Sequence, residues 1–338
     1  MAKSVAVSFE FFPPSDDAMG RQLWEAIGRL APLRPKFVSV TYGADGSTRT
    51  RTHDCVLRML RETELCVAPH LTCIGAAKAE VLGIAQEYWR HGIRHLVALR
   101  GDLPGGEAPS VEAPGAAAPR CGAAAAADAP TGTLPGTETG FAYASELVKG
   151  LAATAKFEIS VAAYPEGHPE SGTVAKDVEN LKRKIDAGAT GAITQFFFDT
   201  DVFLRYRDRC SAAGIHINIV PGILPITRFP QLLRFAARCG ASVPDWLRRR
   251  FDGLDDDADT RRMIAAHVAI EQVQRLQEHG VEEFHFYTLN RAELTYAICH
   301  AMGLRPDAGA APSAGAAHTA GIAHTAGAGQ TAGAARVA

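Results

Sequence analysis

The sequence predicts a single α/β domain folded as a (β/α)8 barrel, and three observations carry that prediction. Short apolar runs rich in β-branched and aromatic residues alternate with stretches of helical periodicity, the pair repeats eight times, and polar residues collect where the apolar runs stop. Alternating strand and helix calls for parallel strands, and eight repeats favour closure into a barrel over an open sheet.

The first apolar run, Val7-Ser8-Phe9-Glu10-Phe11-Phe12, is stopped by Pro13 and Pro14. Side chains alternate along a strand, so Ser8, Glu10 and Phe12 face one way and Val7, Phe9 and Phe11 the other. A carboxyl buried among aromatics, with its charged form disfavoured, suits a proton donor, whereas a Glu at a strand end that merely reaches water is the bland reading. Asp16 or Asp17 then caps a helix through Leu30, with Leu23, Trp24, Ile27 and Leu30 on one face.

The later pairs follow in order. Phe37 to Tyr42 precedes a helix over Thr52 to Thr63, Val67 to Ile74 precedes Ala77 to Arg90, and Leu96 to Leu99 precedes, after a gap, Phe141 to Ala153. Ile159 to Tyr164 leads to Thr173 to Asp186, Ile193 to Phe198 to Val202 to Ala212, and Ile217 to Val220 to Phe229 to Cys239. Extra helix is expected over Trp246 to Phe251 and Thr260 to Glu278 before the last strand, Phe284 to Leu289, and its helix, Ala292 to Met302.

Two segments stand outside this scheme. From Pro104 to Gly136, 23 of 33 residues are Ala, Gly or Pro, which reads as a low-complexity loop after the fourth strand (104–136). The Ala/Gly-rich stretch 307–338 repeats His-Thr-Ala-Gly and carries too few large apolar side chains to pack, so it is expected to be a disordered tail behind a barrel of residues 1–306.

With 47% apolar and 21% charged residues and a net charge of −2, the chain has a core to bury and no electrostatic reason to bind nucleic acid or an anionic membrane. Seven cysteines without a Cys-x-x-Cys pair indicate neither a disulfide framework nor a metal site. No basic-then-apolar leader and no apolar run near 18 residues occurs, so a cytoplasmic location is expected.

Glu10, Thr41, His70, Asp102, Tyr164, Gln195 and the pair Asn290-Arg291 lie at the downstream ends of seven of the eight predicted strands. A barrel gathers those ends on one rim, where barrel enzymes place their sites. Leu99-Arg100-Gly101-Asp102 sets a cation, a flexible Gly and a carboxylate in succession, suited to a polar ring edge or a phosphate. Tyr164 to Glu170 is a turn fixed by two prolines, leading to a helix with Asp177, Asn180 and Lys184 on one face; such a face usually meets solvent, but the tight turn holding Tyr164 and His168 before it favours an anion or ribose contact. Gln195 in an apolar strand needs partners for both ends of its amide, from a ligand or from backbone. Dinucleotide Gly-x-Gly-x-x-Gly, phosphate-loop, nucleophile-elbow and Schiff-base Lys patterns do not occur.

The motifs Val-Ser-Phe-Glu-Phe-Phe-Pro-Pro (7–14), Ser-Val-Thr-Tyr-Gly-Ala (39–44), Pro-His-Leu-Thr-Cys (69–73), Leu-Arg-Gly-Asp (99–102), Ala-Ala-Tyr-Pro-Glu-Gly-His-Pro-Glu (162–170), Thr-Gln-Phe-Phe-Phe-Asp (194–199), Pro-Gly-Ile-Leu-Pro (221–225) and Phe-Tyr-Thr-Leu-Asn-Arg-Ala-Glu (286–293) occur in this order. Together they resemble the bacterial 5,10-methylenetetrahydrofolate reductases over residues 5 to 306. The resemblance implies a TIM barrel that holds FAD non-covalently and uses NADH or NADPH in ping-pong fashion to reduce methylenetetrahydrofolate to 5-methyltetrahydrofolate, feeding methionine synthesis. It further implies a homo-oligomer, and no S-adenosylmethionine regulation of the kind found in larger eukaryotic members.

By motif match, Glu10 would be the general acid that opens the folate's five-membered ring, and Asp102 would lie near flavin and pterin. Gln195 would contact folate and nicotinamide in turn, Thr41 would lie near the nicotinamide, Gln231 and Arg291 would face the folate, and Phe235 would pack on either ligand. FAD contacts would map to Tyr42, Ala44, His70, Arg100, Gly101, Asp102, Tyr143, Ala144, Tyr164, His168, Ser171, Asp177, Asn180, Arg183 and Lys184. The long loop after Asp102 departs from the family pattern. Two other readings are a barrel lyase or transferase using Glu10 without flavin, and a catalytically silent folate-binding barrel; the missing Schiff-base Lys and phosphate loop argue against the first, and intact Glu10, Asp102 and Gln195 against the second.

Overall fold

The structure, a computed structural model, describes residues 5–42, 49–101 and 140–306. Ala44, Asp102, the 104–136 stretch and the 307–338 tail lie outside the described residues. The elements run β1 (Ala6–Phe11), α1 (Asp17–Leu30), β2 (Phe37–Val40), α2 (Arg49–Glu62), β3 (Val67–Thr72), α3 (Lys78–Arg90), β4 (His95–Leu99), α4 (Ala144–Thr154), β5 (Glu158–Ala163) and α5 (Val174–Asp186). They continue with β6 (Gly191–Thr194), α6 (Thr200–Ala212), β7 (Asn218–Val220), β8 (Gly222–Ile223), α7 (Phe229–Cys239), α8 (Asp245–Phe251), α9 (Ala258–Glu278), β9 (Glu283–Tyr287) and α10 (Glu293–Ala301).

Every strand pairing is parallel, in the order β7-β6-β5-β4-β3-β2-β1-β9-β8. The ends of that order meet, because β7 and β8 are one barrel strand interrupted at Pro221. Its first half pairs with β6 and its second half with β9. At the break the Pro221 carbonyl accepts from the His285 amide at 3.0 Å, and the Gly222 amide donates to Thr194 Oγ1 at 2.9 Å. The predicted eightfold (β/α)8 barrel is therefore the observed fold, with the seventh strand split and α8 and α9 inserted before the last strand.

Alternation within the strands separates two cores. Val7, Phe9, Phe11, Val38, Val40, Leu96, Ile159, Phe284 and Phe286 pack outward against the helices. Inside the barrel, Phe37, Ala68, Val97, Leu99, Ala162, Tyr164 and Ile193 form a separate apolar cluster. Helix starts follow the capping rule: Asp16 accepts from the Met19 amide at 2.8 Å, Thr173 from Lys176, Asp199 from Asp201 and Asp257 from Thr260.

Strand ends differ from the sequence expectation by a few residues, for identifiable reasons. The sixth strand stops at Thr194 rather than Phe198, because Gln195 Oε1 accepts the Phe196 amide at 3.0 Å and turns the chain out of the ladder. Phe196 and Phe198 then pack with Leu224, Leu232 and Ala236 in a second helix-side cluster. The last strand ends at Tyr287 because Leu289 and Asn290 adopt φ of 51° and 54°, which no strand accommodates. A 3-10 turn over Ala31–Leu33 follows α1, and the sequence periodicity did not distinguish it. No helix among the described residues is long and apolar enough to cross a membrane.

The break in the seventh strand leaves no room for a side chain. A Cβ on Gly222 would lie 2.2 Å from the Thr194 carbonyl oxygen and 2.6 Å from Tyr287 Cε2. Gly222→Ala is expected to destabilise the barrel by roughly 1–3 kcal/mol, seen as a lower urea midpoint. An unchanged midpoint would show that the strand junction is softer than its packing.

Candidate active site

The barrel interior is not uniformly apolar. Ser8 and Glu10 point inward from β1, and β9 runs beside them with Ser8 opposite His285 and Glu10 opposite Tyr287. Ser8 Oγ and His285 Nδ1 are 2.7 Å apart, and Glu10 Oε2 lies 3.7 Å from His285 Nε2 and 3.4 Å from His70 Nε2. Glu10 is thus flanked by imidazoles, while the phenyl rings adjacent to it in sequence, Phe9 and Phe11, face the helices.

Burial pushes His70 down to about 4, outweighing the opposing pull of Glu10. Its contact with Glu10 is consequently polar and not an ion pair at neutral pH. Among the described residues, Ser39 Oγ, both ring nitrogens of His70 and His285 Nε2 are buried without a hydrogen-bond partner. Buried polar atoms are seldom left so, and four of them around one carboxyl mark a place built to receive polar groups.

The backbone next to Glu10 is clamped. Thr288 Oγ1 donates to the Glu10 carbonyl at 2.6 Å, and Asn290 brackets Phe12, accepting its amide at 3.0 Å and donating to its carbonyl at 2.9 Å. Asn290, noticed in the sequence as a polar strand end, is therefore a structural clip, and the left-handed turn at 289–290 is what aims it. Its neighbour Arg291 is exposed.

A second group of polar side chains occupies the rim beyond β4 and β5. Arg100 is buried at the end of β4, and the chain turns at Gly101 with φ of 91°, where an added Cβ would lie 3.1 Å from Thr72 Cβ. The turn after β5 carries Tyr164 and His168 edge to face, with ring centroids 4.8 Å apart. Asp177 fixes this turn by accepting from the His168 amide at 2.7 Å and from Ser171 Oγ at 2.6 Å. Burial raises Asp177 against the lowering effect of those two bonds.

The polar face of α5 does not meet solvent. Asp177, Asn180 and Lys184 are only 4%, 8% and 6% exposed. Lys184 Nζ donates to the Ala162 carbonyl of β5 at 2.7 Å, and exposed Arg183 reaches back to Asn180 Oδ1. Burying a carboxylate, an amide and an ammonium on one helix face is costly unless the face serves a site.

The other predicted positions fall along the same rim. Thr41 and Tyr42 are buried just past β2, Tyr143 and Ala144 begin α4, and Gln195 is buried one residue past β6. On α7, Gln231 and Phe235 are half-buried, and Phe235 stacks on Phe196 with centroids 5.4 Å apart. The structure therefore brings Glu10 and His70 into contact, and groups Arg100, Tyr164, His168, Ser171, Asp177, Asn180 and Lys184 around one turn.

Residues 1–118 and 123–303 match the family model described as methylenetetrahydrofolate reductase. The chain belongs to the methylenetetrahydrofolate reductase family. It is 50% identical to the Escherichia coli K12 5,10-methylenetetrahydrofolate reductase over 302 residues, covering 89% of this chain and 92% of that one. The Pectobacterium carotovorum enzyme is likewise 50% identical over 305 residues, at 90% and 92% coverage. Among solved structures, a Clostridium thermocellum protein that binds two copies of 5-methyl-5,6,7,8-tetrahydrofolic acid superposes with a TM-score of 0.57 at 13% identity, over 88% of this chain and 94% of that one, a likeness of fold alone. As a member of this family the chain is a reductase of methylenetetrahydrofolate.

Four residues of the site escaped the sequence reading. Ser8 was placed on the inner face without a role, and His285, alternating with Phe284 and Phe286, carried a period-2 signal that marks an inward polar residue. Tyr287, two residues further on, shares that inward face, but its partner, the Thr194 carbonyl that its hydroxyl donates to at 2.7 Å, is a backbone atom on another strand that no pattern marks. Glu170, 3.2 Å from Arg100 Nη2, lay in a recognised motif but is paired only by the fold.

His70, His95 and His168 are each pushed down to about 4, with burial the largest cause in every case. An unfolded histidine titrates near 6.5, so as pH falls the unfolded chain binds these protons first. Stability is therefore full above about pH 6.5 and declines toward pH 4. At pH 5 His70 and His95 are each expected to remove roughly 1–2 kcal/mol, read as a falling urea midpoint. In His95→Gln the decline becomes shallower; a midpoint level from pH 7 to 5 would contradict the assignment.

Proposed function

We propose that the chain reduces 5,10-methylenetetrahydrofolate to 5-methyltetrahydrofolate with NADH or NADPH, through a non-covalently bound FAD and in ping-pong order, so that nicotinamide and folate use one site in turn. Supply of methyl groups for methionine synthesis, a cytoplasmic location and assembly as a homo-oligomer belong to the same reading. The observation that carries it is the Glu10 carboxyl at the rim, 3.4 Å from His70 and 3.7 Å from His285.

The donor set fits the cofactor. Arg100 and Lys184 offer cationic groups to a diphosphate, Ser171, Asp177 and Asn180 offer hydroxyl, carboxylate and amide to a ribose, and the orphaned nitrogens of His70 await a polar ring edge. Tyr42, Tyr143, Ala144, Tyr164, His168 and Arg183 are assigned to the rest of the cofactor site, with Gly101 turning the chain after β4 at a positive φ beside Thr72. Ala44 and Asp102 complete the proposed cofactor set from outside the described residues. Bound there, FAD supplies a two-electron carrier able to accept hydride from a nicotinamide and release it to a folate.

The chain's own residues handle position and protons. Glu10 donates a proton to the nitrogen at position 10 of the folate, opening the five-membered ring to the cation that accepts hydride. Asp102, opposite in sign to that cation, steadies it as it forms. Gln195 presents its amide to pterin or nicotinamide, Thr41 assists with the nicotinamide, and the Phe235 ring covers whichever ligand is present. Gln231 and Arg291 hold the folate, the exposed guanidinium being suited to a carboxylate.

An anaerobic absorbance spectrum tests this reading. Purified protein is expected to show a flavin band that bleaches with NADH and returns with methylenetetrahydrofolate. Glu10→Gln is expected to bleach at close to the normal rate while losing at least about 100-fold in folate-dependent reoxidation. Equal loss in both half-reactions would remove Glu10 from the acid role, and a protein that stays colourless with added FAD would favour a barrel without flavin chemistry.

A further inference from the structure

Four buried or half-buried charged side chains surround the turn after β5, and three of them are fixed. Lys184 is held by the Ala162 carbonyl, Asp177 by Ser171 and the His168 amide, and Arg100 by its burial beside β4, where Nε also donates to the Gly101 carbonyl at 3.3 Å. Glu170 is different. Among the described residues its carboxylate accepts hydrogen bonds from Arg100 alone, with Nη2 3.2 Å from Oε2 and 3.5 Å from Oε1, and beyond those bonds it acts on the His168 ring only through its charge. The Arg100 side chain is 3% exposed and that of Glu170 49%.

This asymmetry determines which partner can leave. A desolvated guanidinium needs an anion, whereas a half-wet carboxylate on a turn loses little by swinging into water. The bond is also long for its type: charge-assisted N–H···O contacts settle at about 2.7–2.9 Å. An anion free to approach Arg100 at that distance would form the better pair. The backbone of Glu170 can stay in place meanwhile, since its amide donates to Nδ1 of His168 at 3.1 Å, independently of the side chain.

We infer that Glu170 is an internal counter-ion that competes with the diphosphate of the bound dinucleotide for Arg100, and so lowers the affinity with which FAD is held. The inference rests on the flavin reading above. Glu170 neutralises the buried guanidinium when no dinucleotide is bound and yields to the ligand's phosphate oxygens, so it weakens cofactor binding while stabilising the protein without cofactor. A merely structural carboxylate would stabilise both forms alike.

The test compares wild type, Glu170→Gln and Glu170→Asp as full-length proteins stripped of flavin. FAD is titrated by the change in its fluorescence, and thermal midpoints are recorded with and without saturating FAD. Glu170→Gln is expected to bind FAD about three- to tenfold more tightly at low salt, the difference narrowing as salt screens the competition. Its midpoint should fall without FAD and match wild type with it, and Glu170→Asp, one methylene shorter, should fall between. FAD affinity unchanged or weakened in Glu170→Gln, or midpoints lowered equally with and without FAD, would overturn the inference while leaving the flavin reading intact. Wild type that does not bind FAD would overturn both.

Discussion

An ionisable side chain inside a barrel is the constraint on which the rest depends. Alternation along β1 sends Val7, Phe9 and Phe11 into the layer between sheet and helices, and the same geometry commits Ser8 and Glu10 to the interior. A carboxyl there must be given polar company or be excluded. The neighbouring strands supply it: His285 and Tyr287 from β9, Ser39 from β2 and His70 from β3. Because those strands are parallel and in register, their contributions arrive at similar heights, which no sequence-local arrangement could achieve.

The interior also shows a gradient of commitment. His95, away from Glu10, is satisfied by Ser160 at 2.8 Å and by the edge of Phe37. His285 is satisfied on one nitrogen only, and His70 on neither. Polar groups at the floor serve the fold, whereas those nearer the rim keep hydrogen-bonding capacity in reserve. A barrel optimised for stability alone would have replaced His70 with an apolar residue, since an unpaired buried imidazole costs more than it contributes. Its presence beside Glu10 is intelligible as part of a reaction site.

Much of this was legible in the sequence, and the exceptions have a common cause. The eight strand–helix pairs, the cap at Asp16 and the shared rim follow from periodicity and turn chemistry, which are local. What escaped depends on which atoms meet across the barrel. Hydrophilic Asp177, Asn180 and Lys184 would suit a solvated surface, and the tight turn before α5 is what favours an anion or ribose contact; that all three are buried against that turn depends on contacts no helical pattern displays. Asn290 reads as a possible ligand contact, yet both ends of its amide are spent on Phe12. Pro221 reads as the end of a strand, yet it is the hinge that lets one strand pair with two partners.

Two kinds of holding coexist around the rim, and their difference follows from what each must do. Near Glu10 the chain is held by neutral hydrogen bonds to backbone, from Thr288 and Asn290, short and directional. On the proposed acid role for Glu10, proton transfer fails when donor and acceptor drift by an ångström, and rigid anchoring suits that role. Beyond β4 and β5 the contact between Arg100 and Glu170 is ionic, long and half-exposed. Under the cofactor reading proposed above, Arg100 admits and releases a large anion and cannot be locked, and an exchangeable ion pair offers it a resting partner without a deep minimum. The two are joined by β3 and β4, adjacent strands that carry His70 on one side and Arg100 on the other. The proposed sites of fixed chemistry and exchangeable binding are thereby side by side on one sheet, with the rigidity of the barrel separating them.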